Sequence, residues 1–264
     1  MERDQLYYEV WGSGRPLLMI AGGGGDAGYY TLVAEILSDE YQVIAYDRRG
    51  HSRSTRRDPQ NFEIGQQARD AVAVLAAAGH ESALVFGNSG GAIIALEMAR
   101  THPEAVDAMV VHEPPVIRVL PDADKWLLRY AELYLLARQG DTQGAMEQFL
   151  ATTAIDLPSF FAVIPQDFAE RTAANRDFFA TEEMHRFTAY KPDVEAIREN
   201  GVKAVMAAGE KTLDVEAYYG MTAPILAEAL GCPMVSFPGD HISYMDMPEE
   251  WAAALRTTLH ELVA

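Results

Sequence analysis

A run of five residues, Gly87-Asn88-Ser89-Gly90-Gly91, constrains the fold of this chain more than any other feature. It follows four apolar residues, 83–86, that are typical of a buried strand, and it precedes an apolar helical segment from Ala92 to about Arg100. A turn that leads directly from strand to helix needs small flanking residues, because the backbone is sharply bent there. We therefore predict a strand, a tight turn and a helix, with the hydroxyl of Ser89 pushed out of the sheet.

Short apolar runs alternate with helical segments along much of the chain. The strand candidates, such as Leu84–Phe86 and Met109–Val111, lack polar alternation, which is typical of a parallel sheet covered by helices on both faces. At the start of the chain, Leu6–Trp11 and Leu17–Ile20 flank a Gly- and Pro-containing turn, which predicts an antiparallel hairpin. The fold class is therefore α/β.

The alternation breaks between about Pro115 and Asn200. Helical patterns follow one another there without a convincing strand, at residues 122–138, 142–151, 166–180 and 193–199. A helical insertion between two strands of an α/β sheet predicts a cap over the carboxyl edge of the sheet, where ligands bind in such folds. We therefore expect a core formed by residues 1–115 and 201–264 and a helical cap formed by residues 116–200.

The composition bounds the partners. The 264 residues carry a net charge of −18, and such a surface repels phosphate backbones and anionic lipids. We expect no nucleic-acid or membrane partner and a small-molecule substrate instead. The single cysteine, Cys232, and a charged N-terminus without the apolar core of a signal peptide predict a cytoplasmic protein. Nothing in the sequence indicates an oligomeric state.

The turn at Ser89 has the pattern called a nucleophile elbow, with glycines two residues before and two residues after the serine. A serine hydroxyl is a poor nucleophile at neutral pH and needs an adjacent base, for which imidazole is well matched. Of the seven histidines, His241 alone lies on a loop after the last predicted strand, where the carboxyl edge of the sheet brings it near the elbow. Ser89 and His241 are the predicted nucleophile and base.

A second glycine run, Gly22–Gly25, follows the strand that ends at Ile20. No Lys-Ser/Thr pair follows the run, so it is not a phosphate-binding P-loop, and it lacks the spacing of a dinucleotide fingerprint. Its backbone N–H groups are free to point at a ligand. We predict an oxyanion hole formed by the amides of Gly23 and Gly90, the residue after the nucleophile.

The chain resembles the α/β-hydrolase family over nearly its whole length. The resemblance is carried by the glycine run, the segment Asp47-Arg48-Arg49-Gly50-His51-Ser52-Arg53-Ser54, the elbow, and Pro238-Gly239-Asp240-His241 before the last helix. It implies an eight-stranded, mostly parallel sheet, an inserted helical cap, and a Ser–acid–His triad in that chain order.

The acid of this implied triad has three candidates. Most members of the family place an aspartate in the turn after the penultimate strand, but this chain has Lys211 at that position, between Glu210 and Asp214. The segment His112-Glu113-Pro114-Pro115 is similar to the one from which fungal zearalenone lactonases, members of the same superfamily, draw a triad glutamate. We therefore rank Glu113 first, Asp214 second and Glu210 third.

The substrate pocket is the least constrained part of the prediction. Its candidate residues are Gly24 and cap aromatics that could instead form the cap core: Trp126, Tyr134 and Phe187, with Tyr130, Phe160, Phe161 and Phe179 as further possibilities. No residue cluster has metal-ligand spacing, so we expect no metal and no cofactor. The expected activity is cleavage of an ester or lactone of a small, largely apolar molecule. The alternatives are C–C bond or amide hydrolysis, or a ligand-binding or signalling protein on a hydrolase scaffold.

Overall fold

The computed structural model describes residues 5–55, 62–155 and 164–264. Its centre is a seven-stranded sheet in the order β1-β3-β2-β4-β5-β6-β7. Every pairing is parallel except that of β1 with β3. The strands are β1 (Tyr8–Trp11), β2 (Arg15–Ile20), β3 (Tyr41–Tyr46), β4 (Ala83–Asn88), β5 (Val106–His112), β6 (Ala204–Gly209) and β7 (Met234–Phe237).

The entry to the sheet differs from the predicted hairpin. Strand β2 pairs in parallel with β3 on one side and with β4 on the other, so both of its edges are occupied. Strand β1 therefore pairs with the outer edge of β3, with Val10 opposite Ile44, and the hairpin prediction is wrong. The described residues also contain seven strands where the family resemblance implies eight.

Helices cover both faces of the sheet, as the unbroken apolar strands predict. Leu18 and Ile20 of β2 pack on the face covered by α2 and α3, whereas Leu17 and Met19 pack on the face of α1 and the last helix. The core helices are α1 (Thr31–Leu37), α2 (Ile64–Ala77), α3 (Gly90–Thr101), α9 (Glu210–Asp214), α10 (Tyr218–Leu230) and α11 (Pro248–Val263).

The described part of the segment between β5 and β6 consists of helices joined by turns and irregular connections, with no strand. Its α-helices are α4 (Ala123–Arg138), α5 (Thr142–Leu150), α6 (Gln166–Phe178), α7 (Met184–Thr188) and α8 (Val194–Glu199). Residues Phe179–Glu183 between α6 and α7 form a π-helical turn, in place of the simple helix end predicted at residue 180. A separate apolar cluster that includes Tyr130, Leu133 and Met184 holds this helical segment together. No helix in the described ranges is long and apolar enough to cross a membrane.

Candidate active site

Ser89 occupies the turn between β4 and α3, as predicted. Its backbone has φ +56° and ψ −122°, a conformation that an L-residue adopts only under constraint. Its N–H donates a hydrogen bond to the carbonyl of His112 at 3.0 Å, which ties the turn to the neighbouring strand β5. The strained turn and this hydrogen bond fix the position of Ser89 at the carboxyl edge of the sheet.

The glycines around Ser89 are needed because the backbone packs closely. A Cβ on Gly91 would lie 1.9 Å from the carbonyl oxygen of Ile20, and one on Gly87 would lie 2.4 Å from the carbonyl oxygen of Gly91. Both contacts are with backbone atoms, which cannot swing aside as a side chain can. The small residues that predict the elbow therefore let α3 start directly against β2.

His241 and Glu113 form a short hydrogen-bonded pair beside the elbow. The Nδ1 atom of His241 lies 2.5 Å from Oε2 of Glu113, and the carboxylate is fully buried. The other carboxylate oxygen, Oε1, accepts a hydrogen bond from the Gly209 N–H at 2.7 Å. The carboxylate is thus held on both sides, and it orients one nitrogen of the imidazole.

The backbone at Glu113 turns the side chain toward His241. Glu113 has φ +48°, a left-handed conformation that is unusual for a glutamate, and Pro114 follows it. Its own N–H still donates to the carbonyl of Ala207 at 2.9 Å. The two other acid candidates, Glu210 and Asp214, lie at opposite ends of α9 and are exposed. Among the three candidates, the structure brings Glu113 to His241.

The electrostatics of the pair favour an ionised carboxylate. Burial opposes the ionisation of Glu113, but the imidazoles of His112 and His241 and the Gly209 amide outweigh it and lower the pKa of Glu113. Burial lowers the pKa of His112 itself to about 4. The Nδ1 atom of His112 lies 2.7 Å from the side-chain oxygen of Asn88, and its ring packs edge-on to Trp251.

A small cavity joins the predicted catalytic residues. Ser89, His241, Gly23 and Gly90 all line it, and its volume is about 30 Å³. That is room for about two water molecules. The remaining wall is mostly apolar. Four of its side chains come from the helical segment between β5 and β6: Phe149, Phe179, Met184 and Phe187. Pro115 and Tyr219 come from the core. Side chains of the cap therefore limit the size of what fits against Ser89.

Two phenylalanine rings lie against the two predicted oxyanion-hole glycines. A Cβ on Gly23 would lie 2.8 Å from Cε2 of Phe179, and a Cβ on Gly90 would lie 2.8 Å from Cε2 of Phe187. The rings leave no room for a side chain at either glycine.

The other predicted pocket residues lie outside the cavity wall. The carbonyl of Gly24 accepts a hydrogen bond from the Asn175 side chain at 2.7 Å. The Trp126 ring packs on Tyr218 with 4.5 Å between centroids, and Tyr134 stacks on His185 at 5.2 Å. Of the four substrate-binding candidates, Phe187 lines the cavity. Phe160 and Phe161 lie outside the described residues.

Sequence reasoning missed Tyr219, whose ring packs against His241 with 4.6 Å between centroids. The sequence pattern predicts a helix from Ala223 to Leu230 ahead of the last strand, but α10 begins at Tyr218. The extra turn carries Tyr218 and Tyr219 into the cavity wall. The two adjacent tyrosines before Gly220 could have indicated an apolar, helical segment. Gly220 is typical of a loop, however, and its presence argues against a helix at this position.

Comparisons with known proteins identify the family and agree with the fold. The sequence profile of the alpha/beta hydrolase fold matches residues 15–179. The chain is 31% identical over 261 residues to the uncharacterized hydrolase YraK of Bacillus subtilis, which covers 97% of this chain and 93% of that protein.

Two solved structures are similar over nearly the full length. A thermophilic esterase from Thermogutta terrifontis superposes with a TM-score of 0.79 at 19% identity, covering 99% of this chain and 95% of that one. Est816, an N-acyl homoserine lactone degrading enzyme, superposes with a TM-score of 0.68 at 22% identity, covering 96% of each chain. At these identities the two superpositions establish the shared fold.

Proposed function

The chain belongs to the α/β-hydrolase fold family, and on that premise we propose that it is a serine hydrolase cleaving a carboxylic ester or lactone of a small, largely apolar molecule. One observation carries the proposal: Ser89, His241, Gly23 and Gly90 line one cavity, and the imidazole is hydrogen-bonded to a buried carboxylate. Each member of a serine-hydrolase site is therefore represented at a single edge of the sheet.

The proposed reaction proceeds through an acyl-enzyme. Ser89 attacks the carbonyl carbon of the ester while His241 takes the hydroxyl proton, and Glu113 stabilises the imidazolium that forms. The amides of Gly23 and Gly90 donate hydrogen bonds to the oxyanion, a charge that exists only in the tetrahedral intermediate. His241 returns the proton to the leaving alcohol and then activates the water that releases the acid.

The cavity wall supports a neutral substrate. Among the described residues that line the cavity there is no aspartate, glutamate, lysine or arginine. The hydroxyls of Thr153 and Thr188 donate to the backbone carbonyls of Leu150 and Met184, at 2.8 Å and 2.9 Å, and are engaged within their own helical turns. A carboxylate or phosphate on the acyl group would be buried there without a partner, which is costly. A short, neutral acyl group fits the wall best.

Two matched esters test this proposal. We expect 4-nitrophenyl butyrate to be hydrolysed with a kcat/KM at least about a hundredfold above that of 4-nitrophenyl hemisuccinate, because the second acyl group ends in a carboxylate that would be buried unpaired. Ser89→Ala should abolish turnover of both esters, whereas Ser38→Ala, which changes a half-buried serine just after α1, should leave it unaltered. Turnover by Ser89→Ala at the wild-type rate would contradict the proposal.

A further inference from the structure

A buried ion pair joins the core to the helical segment between β5 and β6, which forms the cap in this proposal. Arg48 follows β3, and Glu183 is the last residue of the π-helical turn in the cap. The guanidinium donates two parallel hydrogen bonds to the carboxylate, from Nη1 to Oε1 and from Nη2 to Oε2, each 2.7 Å long. Both side chains are fully excluded from water. The two residues are 135 positions apart in the chain, so this contact forms only when the cap is seated.

Arg48 also binds the glycine run. Its Nη2 donates a hydrogen bond to the carbonyl oxygen of Gly22 at 2.8 Å. The carbonyl of Gly22 and the N–H of Gly23 belong to the same planar peptide group, and in a trans peptide they point in opposite directions. The guanidinium therefore holds one end of the peptide whose other end lies at the cavity.

This contact has two physical consequences for the Gly23 amide. The carbonyl of Gly22 also accepts a hydrogen bond from the Gly25 N–H at 3.2 Å. The shorter bond from Arg48 adds a second restraint on the direction of the Gly23 N–H, in a run where glycine permits many backbone conformations. A cationic donor on the carbonyl also polarises the peptide group, which makes the N–H at the other end a stronger donor. Both effects act on an oxyanion-hole donor rather than on the nucleophile or the base.

The π-helical turn contacts the same peptide from a second direction. Phe179 at its start lies against the Cα of Gly23, and Glu183 at its end binds Arg48. π-helical turns are rare and occur frequently at functional sites. The π-helical turn thus contacts the glycine run in two ways. The Phe179 ring touches Gly23 directly, and Glu183 acts through Arg48, which binds the carbonyl of Gly22.

The charges of the pair indicate a role beyond packing. Burial opposes the ionisation of Glu183, but Arg48 and His51 more than offset it and lower the pKa of this carboxyl to about 2. Buried ion pairs contribute little net stability compared with apolar side chains of similar volume. The pair is therefore better explained by what the guanidinium does to the Gly22 carbonyl.

We propose that Arg48, held in place by Glu183, is a positioning residue that orients and polarises the Gly22–Gly23 peptide, so that the seated cap completes the oxyanion hole. This inference rests on the proposed serine-hydrolase function. It assigns no contact with substrate to either residue.

The double variant Arg48→Met/Glu183→Met tests the inference, because it removes both charges and fills their volume. We expect kcat for 4-nitrophenyl butyrate to fall by about tenfold to a hundredfold, less than the loss of a whole oxyanion-hole donor. We expect KM to change by less than about threefold, because the ground-state carbonyl gains little from the donor. The Ki of a trifluoromethyl ketone should rise in parallel with the loss of kcat, since its adduct carries the oxyanion.

The matched control is Arg138→Met/Glu182→Met, which removes a neighbouring pair of the cap, joined at 2.9 Å, that includes the preceding residue of the same turn. We expect kcat and Ki close to wild type in this control. Wild-type kcat and Ki in the Arg48→Met/Glu183→Met variant would overturn the inference while leaving the hydrolase proposal intact. Absence of Ser89-dependent turnover in the wild-type protein would instead overturn the proposed function, and the inference with it.

A single variant keeps the test decisive if the double variant does not fold. In Arg48→Lys the ammonium can keep the charge pair with Glu183, but it lacks the planar fork that reaches Glu183 and Gly22 together. We expect a loss of kcat of at least about tenfold, with the near-ultraviolet circular dichroism of the wild-type protein. A folded Arg48→Lys variant with wild-type kcat would overturn the inference.

Discussion

The Nδ1 atom of His241 lies 2.5 Å from Oε2 of Glu113, a carboxylate at the end of β5, one strand away from the elbow. Most members of the family place an aspartate in the turn after β6, whereas here the last residue of β6, Gly209, donates its N–H to the other oxygen of Glu113. Glu210 and Asp214, at the two ends of α9 just after β6, have exposed side chains. The carboxylate of Glu113, which follows β5, therefore reaches His241 across the end of β6, the strand next to β5.

The role of Glu113 can be separated from that of the acids after β6. Glu113→Gln preserves the shape of the side chain but removes the charge that stabilises the imidazolium, so kcat should fall by about 10³–10⁴. Asp214→Asn should keep kcat within about twofold of wild type, because the Asp214 side chain is exposed to solvent. Steady-state hydrolysis of 4-nitrophenyl butyrate measures both. A large loss in Asp214→Asn together with an active Glu113→Gln would reverse the assignment.

Phe187 should determine which acyl groups fit. Its ring lines the cavity beside Gly90 and is almost fully buried. Phe187→Ala is expected to shift the preference from butyrate toward longer or branched 4-nitrophenyl esters, measured as the ratio of kcat/KM values. It should also lower the free energy of unfolding by about 3 kcal/mol, because it leaves a cavity in the core. Tyr134→Phe, outside the cavity wall, is the control, and the same shift in that variant would argue against a role of Phe187 in specificity.

His112 should make the folded protein sensitive to mild acid. Burial lowers the pKa of His112 to about 4, from an ordinary value of 6.5. Between these two pH values His112 is protonated in the unfolded chain but not in the folded protein. Stability is therefore lost as the pH falls from 6.5 to 4, by roughly 3 kcal/mol in total. His112→Phe should reduce this loss, as measured by urea unfolding at pH 7 and pH 4. An unchanged difference between the two pH values would show that His112 does not titrate in this way.

The sequence predicted the parts of the site that depend on local backbone requirements. The elbow at Ser89 was predictable because glycines are needed where α3 starts against β2, and His241 because it follows the last strand. Glu113 was ranked first on a four-residue segment, and its hydrogen bond to His241 agrees with that ranking. These signals lie within a few residues of the groups that they describe.

Contacts between distant segments could not be predicted in the same way. Arg48 and Glu183 are 135 positions apart, and the sequence around each residue does not indicate which residue it pairs with. The place of β1 on the outer edge of β3 depends on β2 being paired on both sides, which no local pattern reveals. The early start of α10 at Tyr218 was likewise hidden by Gly220.

The most direct test of the hydrolase assignment is mass spectrometry of the intact protein after treatment with a fluorophosphonate, followed by peptide mapping. We predict a single stoichiometric adduct on Ser89. The adduct should be absent in Ser89→Ala and should form much more slowly in Glu113→Gln, because the serine is activated through His241. A wild-type protein that hydrolyses esters but carries no adduct on Ser89, or an adduct that persists in Ser89→Ala, would contradict the assignment of Ser89 as the nucleophile.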